Sequence, residues 1–355
     1  MKYNIAVLRG DGIGSEIVEE AIKVLFAIKG MKEKIDLKEY SFGGCAYDKF
    51  SHAFPSETKE GVMKADAVLL GAVGGPKWNE LPLEKRPESA LLSLRKTMEV
   101  FCNIRPVKIF DSLKNLSPIK LENRNIDYVI VRELISGIYF GNKNTETIGG
   151  EIAAKDEMFY SESQIKRAID KAIEIASKRN NKITLVDKAN VLETSRLWRK
   201  VAKEKVRDSK TEIDYMYVDN AAMQVILNPD KFDVIVTSNM FGDIISDESG
   251  AIVGSIGLLP SASISESGLG LYEPIHGSAP DIAGKNIANP IGTILSVALL
   301  LRYSLKMDIE AEIIEKAVEN AINNKILSKD IIGESGFSTC EIGEYIANEV
   351  KNLSN

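Results

Sequence analysis

The chain has 355 residues, 44% hydrophobic and 27% charged, with 45 basic against 51 acidic side chains and a formal charge of -6. That size and balance predict a soluble globular protein of two domains, and the absence of a long run of either charge argues against nucleic acid or an anionic membrane as partner. Three scattered cysteines without CxxC spacing argue against a disulfide framework or a thiolate zinc site and fit a reducing cytoplasm. With only two histidines, catalysis falls to Lys, Tyr and carboxylates.

In chain order, NIAVL (4–8) reads as a strand, and the glycine-rich LRGDGIGSE (8–16) after it opens a helix. Glycines at such a turn let backbone N–H groups approach a ligand. The spacing of Gly10, Gly12 and Gly14 does not match G-x-G-x-x-G, and no G-x-x-x-x-G-K-[ST] occurs, which disfavours ordinary Rossmann and P-loop readings. AVLLGAV (67–73), DYVIV (127–131), KITLVD (182–187), IDYMYV (213–218) and DVIVTS (233–238) are further strands in a layered α/β pattern. Between them, Ile165, Ala168, Ile169, Ala172, Ile173 and Ala176 recur at steps of three and four, one stripe of an amphipathic helix. Residues 137–160 are rich in Gly, Thr and Asn and read as a long hairpin or arm of the kind that crosses to a second subunit. The apolar ILSVALLL stops at Arg302, too short to span a membrane, and the N-terminal run is too short for export.

The segment MFGDIISDESGAI (240–252) follows a strand and repeats apolar residues at helical spacing, with Asn239 placed to cap it. Asp243 and Asp247 then share a face, where they repel unless a cation lies between them. A solvated acidic face is the plain reading. A site for a hard divalent ion is the competing one, because both acids lie just past the carboxyl end of a strand, where open α/β sheets place their sites. Arg95, Arg105 and Arg132 stand near element edges and suit the gripping of carboxylates, though each alone also reads as a surface charge. The loop 270–290, dense in Gly and Pro, is long enough to suggest function.

Taken together and in this order, GDGIG, PESALLSLRK, VRELISGIYFG, VDKANVL, YVDNAAMQ, NMFGDIISDE and EPIHGSAPDIAGKNIANP resemble the isocitrate/isopropylmalate dehydrogenase family of β-decarboxylating dehydrogenases, from residue 4 to about 303. The resemblance implies a two-domain α/β fold of mixed sheets flanked by helices, not classical Rossmann. One domain would be discontinuous (1–99 and 255–355) and cofactor-side; the other (100–254) would carry substrate, metal and the dimerising arm. A cleft between them would close on substrate.

The resemblance also implies roles. Arg95, Arg105 and Arg132 hold substrate carboxylates; Asp243 and Asp247, with Asp219 from the partner subunit, bind Mg²⁺ or Mn²⁺. Lys188, also from the partner, is the general base, its pKa lowered by the metal and arginines, and Tyr139 is the acid that protonates the enol carbon. NAD lies along His276, Gly277, Ser278, Ala279, Asp281 and Asn289, with Gly74, Gly75 and Glu88 near it. The active site is shared within an obligatory homodimer. Glu88, Leu91 and Leu92 replace the hydroxyl and amide of isocitrate-specific relatives and favour an isopropyl over a third carboxylate, so 3-isopropylmalate is the expected substrate. Asp281 favours an unphosphorylated ribose, hence NAD over NADP. Ser15 replaces the family's usual Pro, and Ile135-Ser136 its usual Thr-Gly, the latter bearing on how Tyr139 is held. Competing readings are a sibling acting on tartrate, malate or a methylmalate, a magnesium-dependent phosphate-ester enzyme with GDGIG as anion loop, and a silent homologue.

Overall fold

The computed structural model describes residues 2–121, 124–207 and 209–354. Its strands are β1 (Tyr3–Gly10), β2 (Ile35–Glu39), β3 (Ala67–Ala72), β4 (Cys102–Lys108), β5 (Asp127–Glu133), β6 (Lys143–Ile148), β7 (Glu151–Asp156), β8 (Lys182–Asp187), β9 (Glu212–Tyr217), β10 (Val234–Thr237), β11 (Pro260–Ile264) and β12 (Gly270–Pro274). The chain divides into two compact units, one of Met1–Val100, Ile109–Leu121 and Gly250–Asn355, the other of Phe101–Lys108 and Glu122–Ser249.

In the first unit the strand order is β2-β1-β3-β12-β11, parallel except that β11 runs against β12. Every residue of β3 is buried, which is why it reads as an unbroken apolar run rather than an alternating one. The apolar stretch near Arg302 lies in the helix Ile291–Tyr303, buried almost all round against β11 and β12. No helix among the described residues is long and apolar enough to cross a membrane.

The second unit repeats the logic with order β4-β5-β10-β8-β9, parallel except for β4 against β5. The helix Glu162–Ser177 begins at a capping box in which Ser161 and Gln164 satisfy each other's backbone N–H. Its buried stripe is the expected one, except that Ile175 rather than Ile173 completes it. β6 and β7 form the expected hairpin, its strands almost wholly exposed.

Two differences from the sequence reading have local causes. Ile109–Leu121 belongs with the first unit, because past β4 the chain turns through a 3-10 helix (Asp111–Leu116), buries Leu113, and is tied by Ser117 Oγ to the Ile252 carbonyl (2.6 Å). The start of the presumed loop 270–290 is strand β12; the Gly and Pro content fits the strand's two ends.

Candidate active site

Arg132 is the penultimate residue of β5, and Thr237 beside it closes β10, so the helix Asn239–Ile252 starts where these two strands end. The Arg132 side chain runs past Gly242, where a Cβ would meet its Cγ at 2.7 Å; only glycine lets this arginine lie against the helix. Its guanidinium is 1% exposed and needs compensation. Nη1 pairs with Asp243, while Nε and Nη2 donate to Asn239 Oδ1 at 3.1 and 2.8 Å. From β4, Arg105 reaches both acids of the helix face, Asp243 at 3.4 Å and Asp247 at 3.3 Å, and donates to Ser246 Oγ and Asn103 Oδ1. In the bare chain the Arg105 guanidinium thus lies against both Asp243 and Asp247. Asp247 is held above the ordinary carboxylate range by burial, against the pull of Arg105. Asn239 does not cap the helix: it is fully buried in its first turn and binds Arg132 instead.

Tyr139 is brought to the same acids by the short 3-10 turn Gly137–Tyr139, and its hydroxyl donates to Asp243 Oδ2 at 3.0 Å. Burial and then the Asp243 charge raise its pKa, which keeps the phenol protonated. Glu133, next to Arg132, is wholly buried and accepts the N–H groups of Ile135 (3.2 Å) and Ser136 (3.1 Å). Burial pushes its carboxyl from 4.5 up to about 7. The folded chain therefore holds this proton where the unfolded chain has lost it, and the penalty for the buried charge grows as pH rises from about 4.5 to about 7. Relative to Glu133→Gln, wild-type stability is expected to fall by about 3 kcal/mol over that window, measured by urea unfolding at each pH; parallel profiles would refute the charge penalty.

Lys188 follows β8. Its backbone N–H donates to Ser195 Oγ (3.1 Å), and the preceding Asp187 is locked by Arg199 at 2.6 and 3.0 Å. Its ammonium meets Asp219 Oδ1 at 2.5 Å and lies over the Tyr217 ring, where it holds the Asp219 carboxyl below the usual range. Lys188 and Asp219 thus form one pair, and Arg105, Arg132, Tyr139, Asp243 and Asp247 form another cluster. Among the described residues of this single chain, no three His, Cys, Asp or Glu side chains converge as metal ligands.

In the first unit the glycine-rich turn braces rather than cradles. Asp11 N–H donates to Ala72 and Ile13 N–H to Ser278. The buried Asp11 carboxylate accepts the N–H groups of Gly44, Cys45 and Gly74, each at 2.8 Å. The N–H groups of Asp11, Ile13 and Gly14 are taken by the carbonyls of Ala72, Ser278 and Asp11, which weakens the reading of GDGIG as a phosphate loop. Gly74 adopts φ +97°, with Glu88 Oε1 beside it, and its carbonyl accepts from the buried Ser278 Oγ. Gly75 follows without a contact to the cavity described next.

That cavity, about 410 Å³, is lined by His276, Gly277, Ala279 and Asn289 together with Ile13, Ile256, Ile282 and Asp330. Asp281 is exposed and outside the lining; the acid in the wall is Asp330, which sequence reasoning missed because it lies far along the chain. His276 Nδ1 faces its neighbour's carbonyl, so that nitrogen carries the proton and donates; Nε2, buried without a partner, is left as a bare acceptor. Burial lowers the ring's pKa and keeps it neutral. On the helix Pro87–Thr97, Glu88, Leu91, Leu92 and Arg95 fall at steps of three and four and share a face. Both leucines are half-buried, whereas Leu94, off that stripe, is fully buried in the core. Arg95 is not a surface charge: it is buried and paired with Glu273 of β12 at 2.9 Å. An acid in the interior strand YEP was the signal available for that pairing.

Comparison with known proteins points the same way. The profile of the isocitrate/isopropylmalate dehydrogenase family matches residues 4–346. The 3-isopropylmalate dehydrogenase of Carboxydothermus hydrogenoformans is 51% identical over 357 residues, covering 98% of this chain and 95% of the relative, and that of Bacillus subtilis is 48% identical, covering 99% and 97%. The crystal structure of isocitrate dehydrogenase from Methylococcus capsulatus superposes with a TM-score of 0.89 at 30% identity, covering 98% of this chain and 99% of the other.

Proposed function

The chain belongs to the isocitrate/isopropylmalate dehydrogenase family, and from that premise we propose how its residues carry the reaction. The reaction is the oxidative decarboxylation of 3-isopropylmalate in leucine biosynthesis. The observation that carries the reading is the convergence of two arginines and a protonated tyrosine on one carboxylate, Asp243.

Arg105 and Arg132 bind the substrate carboxylates through guanidinium forks that in the bare chain grip Asp243 and Asp247. Arg95 adds a third contact, with the substrate competing against Glu273. Leu91 and Leu92, on the face that bears Arg95, receive the isopropyl group, and Glu88 on the same stripe repels an anionic side group.

Asp243 and Asp247 offer hard oxygen donors one helical turn apart, which suits Mg²⁺ or Mn²⁺. Asp219 of a second copy supplies the third carboxylate, and Lys188 of that copy takes the substrate's hydroxyl proton. Tyr139, kept protonated by burial, delivers a proton to carbon after CO₂ leaves. The cavity at His276 fits the adenosine half of NAD: its walls are largely apolar, and the bare Nε2 acceptor awaits a donor. When bound, the nicotinamide accepts hydride and the cation draws charge from the substrate's ketone oxygen.

A homodimer follows from the sharing, and the exposed Met223 and Leu227, one turn apart, with Ile244, Ile148 and Ile152 give it apolar surface. Three free cysteines with no CxxC spacing support a reducing, cytoplasmic setting. The test is NADH formation from 3-isopropylmalate and Mg²⁺ beside isocitrate and tartrate, with NAD⁺ and with NADP⁺. Preference for 3-isopropylmalate and NAD⁺, lost on adding EDTA, is expected; preference for another malate would overturn the role of Leu91 and Leu92, and indifference to EDTA that of Asp243 and Asp247.

A further inference from the structure

Asn239 uses its whole side-chain amide inside the protein. Oδ1 accepts from Arg132 Nε (3.1 Å) and Nη2 (2.8 Å), and Nδ2 donates to the carbonyls of Leu134 (2.9 Å) and Ser136 (3.1 Å). The orientation is forced: a guanidinium only donates and a carbonyl only accepts, so the amide cannot be flipped. Its backbone N–H is taken by the Tyr160 hydroxyl at 2.9 Å. The residue is 0% exposed.

The turn 134–136 is thereby held from two sides. Glu133 takes the N–H groups of Ile135 and Ser136, and Asn239 takes the carbonyls of Leu134 and Ser136. At the next residue, Gly137 at φ +75° lies against the Tyr160 ring, whose hydroxyl a Cβ would meet at 2.2 Å. Tyr139 stands two residues beyond, so its place is inherited from this turn. This is also where the chain has Ile135-Ser136 in place of Thr-Gly: the turn's main-chain groups are fixed by neighbours, so the tethering does not depend on the side chains at those two positions.

We propose that Asn239 is a positioning residue whose two amide ends serve different steps, Oδ1 fixing the Arg132 guanidinium for a substrate carboxylate and Nδ2 fixing the turn that presents the Tyr139 hydroxyl. The inference rests on the roles given above to Arg132 and Tyr139. Only an amide meets both demands. A carboxylate in its place keeps an acceptor for Arg132 but sets a negative oxygen against two carbonyls; an aliphatic side chain leaves both sides unpartnered.

The test is Asn239→Asp, read three ways. Calorimetry gives the affinity for isopropylsuccinate, an unreactive analogue that lacks the hydroxyl; it is expected to stay within about threefold of wild type, since the Arg132 contact survives. Turnover with 3-isopropylmalate is expected to fall by about tenfold to a hundredfold as the proton donor loses its place. In D₂O, wild type is expected to place deuterium on one face of the product's new methylene, and the variant on both. Tyr160→Phe, which perturbs the same cluster but leaves the side-chain amide in place, is expected to lose stability and keep one face. Should Asn239→Asp not fold, Asn239→Ser lacks both tethers and is expected to weaken analogue binding and mix the faces together. Parallel losses of analogue affinity and turnover with deuterium still on one face would overturn the proposal. Failure of wild type to bind the analogue would instead overturn the reading of Arg132.

Discussion

Lys188→Met is expected to reduce turnover with 3-isopropylmalate by about 10³-fold, the range for removal of a general base, with little change in folding stability. The geometry separates the two effects. The main chain at this point is fixed by groups the substitution does not touch: the Lys188 N–H on Ser195 Oγ, and Asp187 locked by Arg199 and by the Ala189 N–H at 2.8 Å. Only the ammonium changes, and its ion pair with Asp219 is largely exposed at the carboxylate end, so its loss costs little. Methionine keeps the length of the stem while removing the charge that lies over the Tyr217 ring. Rates from a coupled assay and melting curves on the same preparation check both halves. A variant that keeps a tenth or more of wild-type turnover would remove Lys188 from the role of base.

What the sequence disclosed and what it concealed divide along locality. β3, β5, β8 and β10 announce themselves through apolar runs because parallel strands are covered on both faces. The helix Glu162–Ser177 shows its stripe and its cap within sixteen consecutive residues. The stretch that sets Asp243 and Asp247 on one face is equally local. Pairings across the chain left no such trace. Arg95 finds Glu273 178 residues away, and nothing in PESALLSLRK marks its arginine as buried rather than solvated. Asn239 reads as a helix cap because Asn before an apolar run usually is one; its amide instead answers Arg132, 107 residues upstream. The glycines of GDGIG suggest room for a ligand, yet the turn's N–H groups at Asp11, Ile13 and Gly14 go to backbone carbonyls, those of Ala72 and Ser278 lying far along the chain. The resemblance supplied roles for Arg132, Asp243 and Tyr139, and the structure adds why they can be there together: the charge of each buried guanidinium is answered within one cluster.

Asp243→Asn is expected to act twice, because Asp243 is at once the proposed metal ligand and the acceptor for Arg132, Arg105 and Tyr139. An amide brings no net charge to two buried guanidinium groups. Breaking a buried ion pair costs about 3–5 kcal/mol, and because the Asp243 side chain is 33% exposed the expected loss here is nearer 1–3 kcal/mol. It should appear in melts of the metal-free protein, where Asp247→Asn, at a more exposed carboxylate paired with Arg105, costs less. Activity should fall in parallel with affinity for Mg²⁺. The decisive experiment uses the two inactive chains together. If Lys188 acts on the Asp243 cluster of the other copy, a dimer of one Lys188→Met chain and one Asp243→Asn chain holds one intact site and one doubly damaged site. Random pairing makes half of all dimers mixed, so co-expression should restore about a quarter of wild-type activity, whereas separate preparations stay inactive. If each site is built within one chain, no pairing restores anything, and the proposed sharing of the site is wrong.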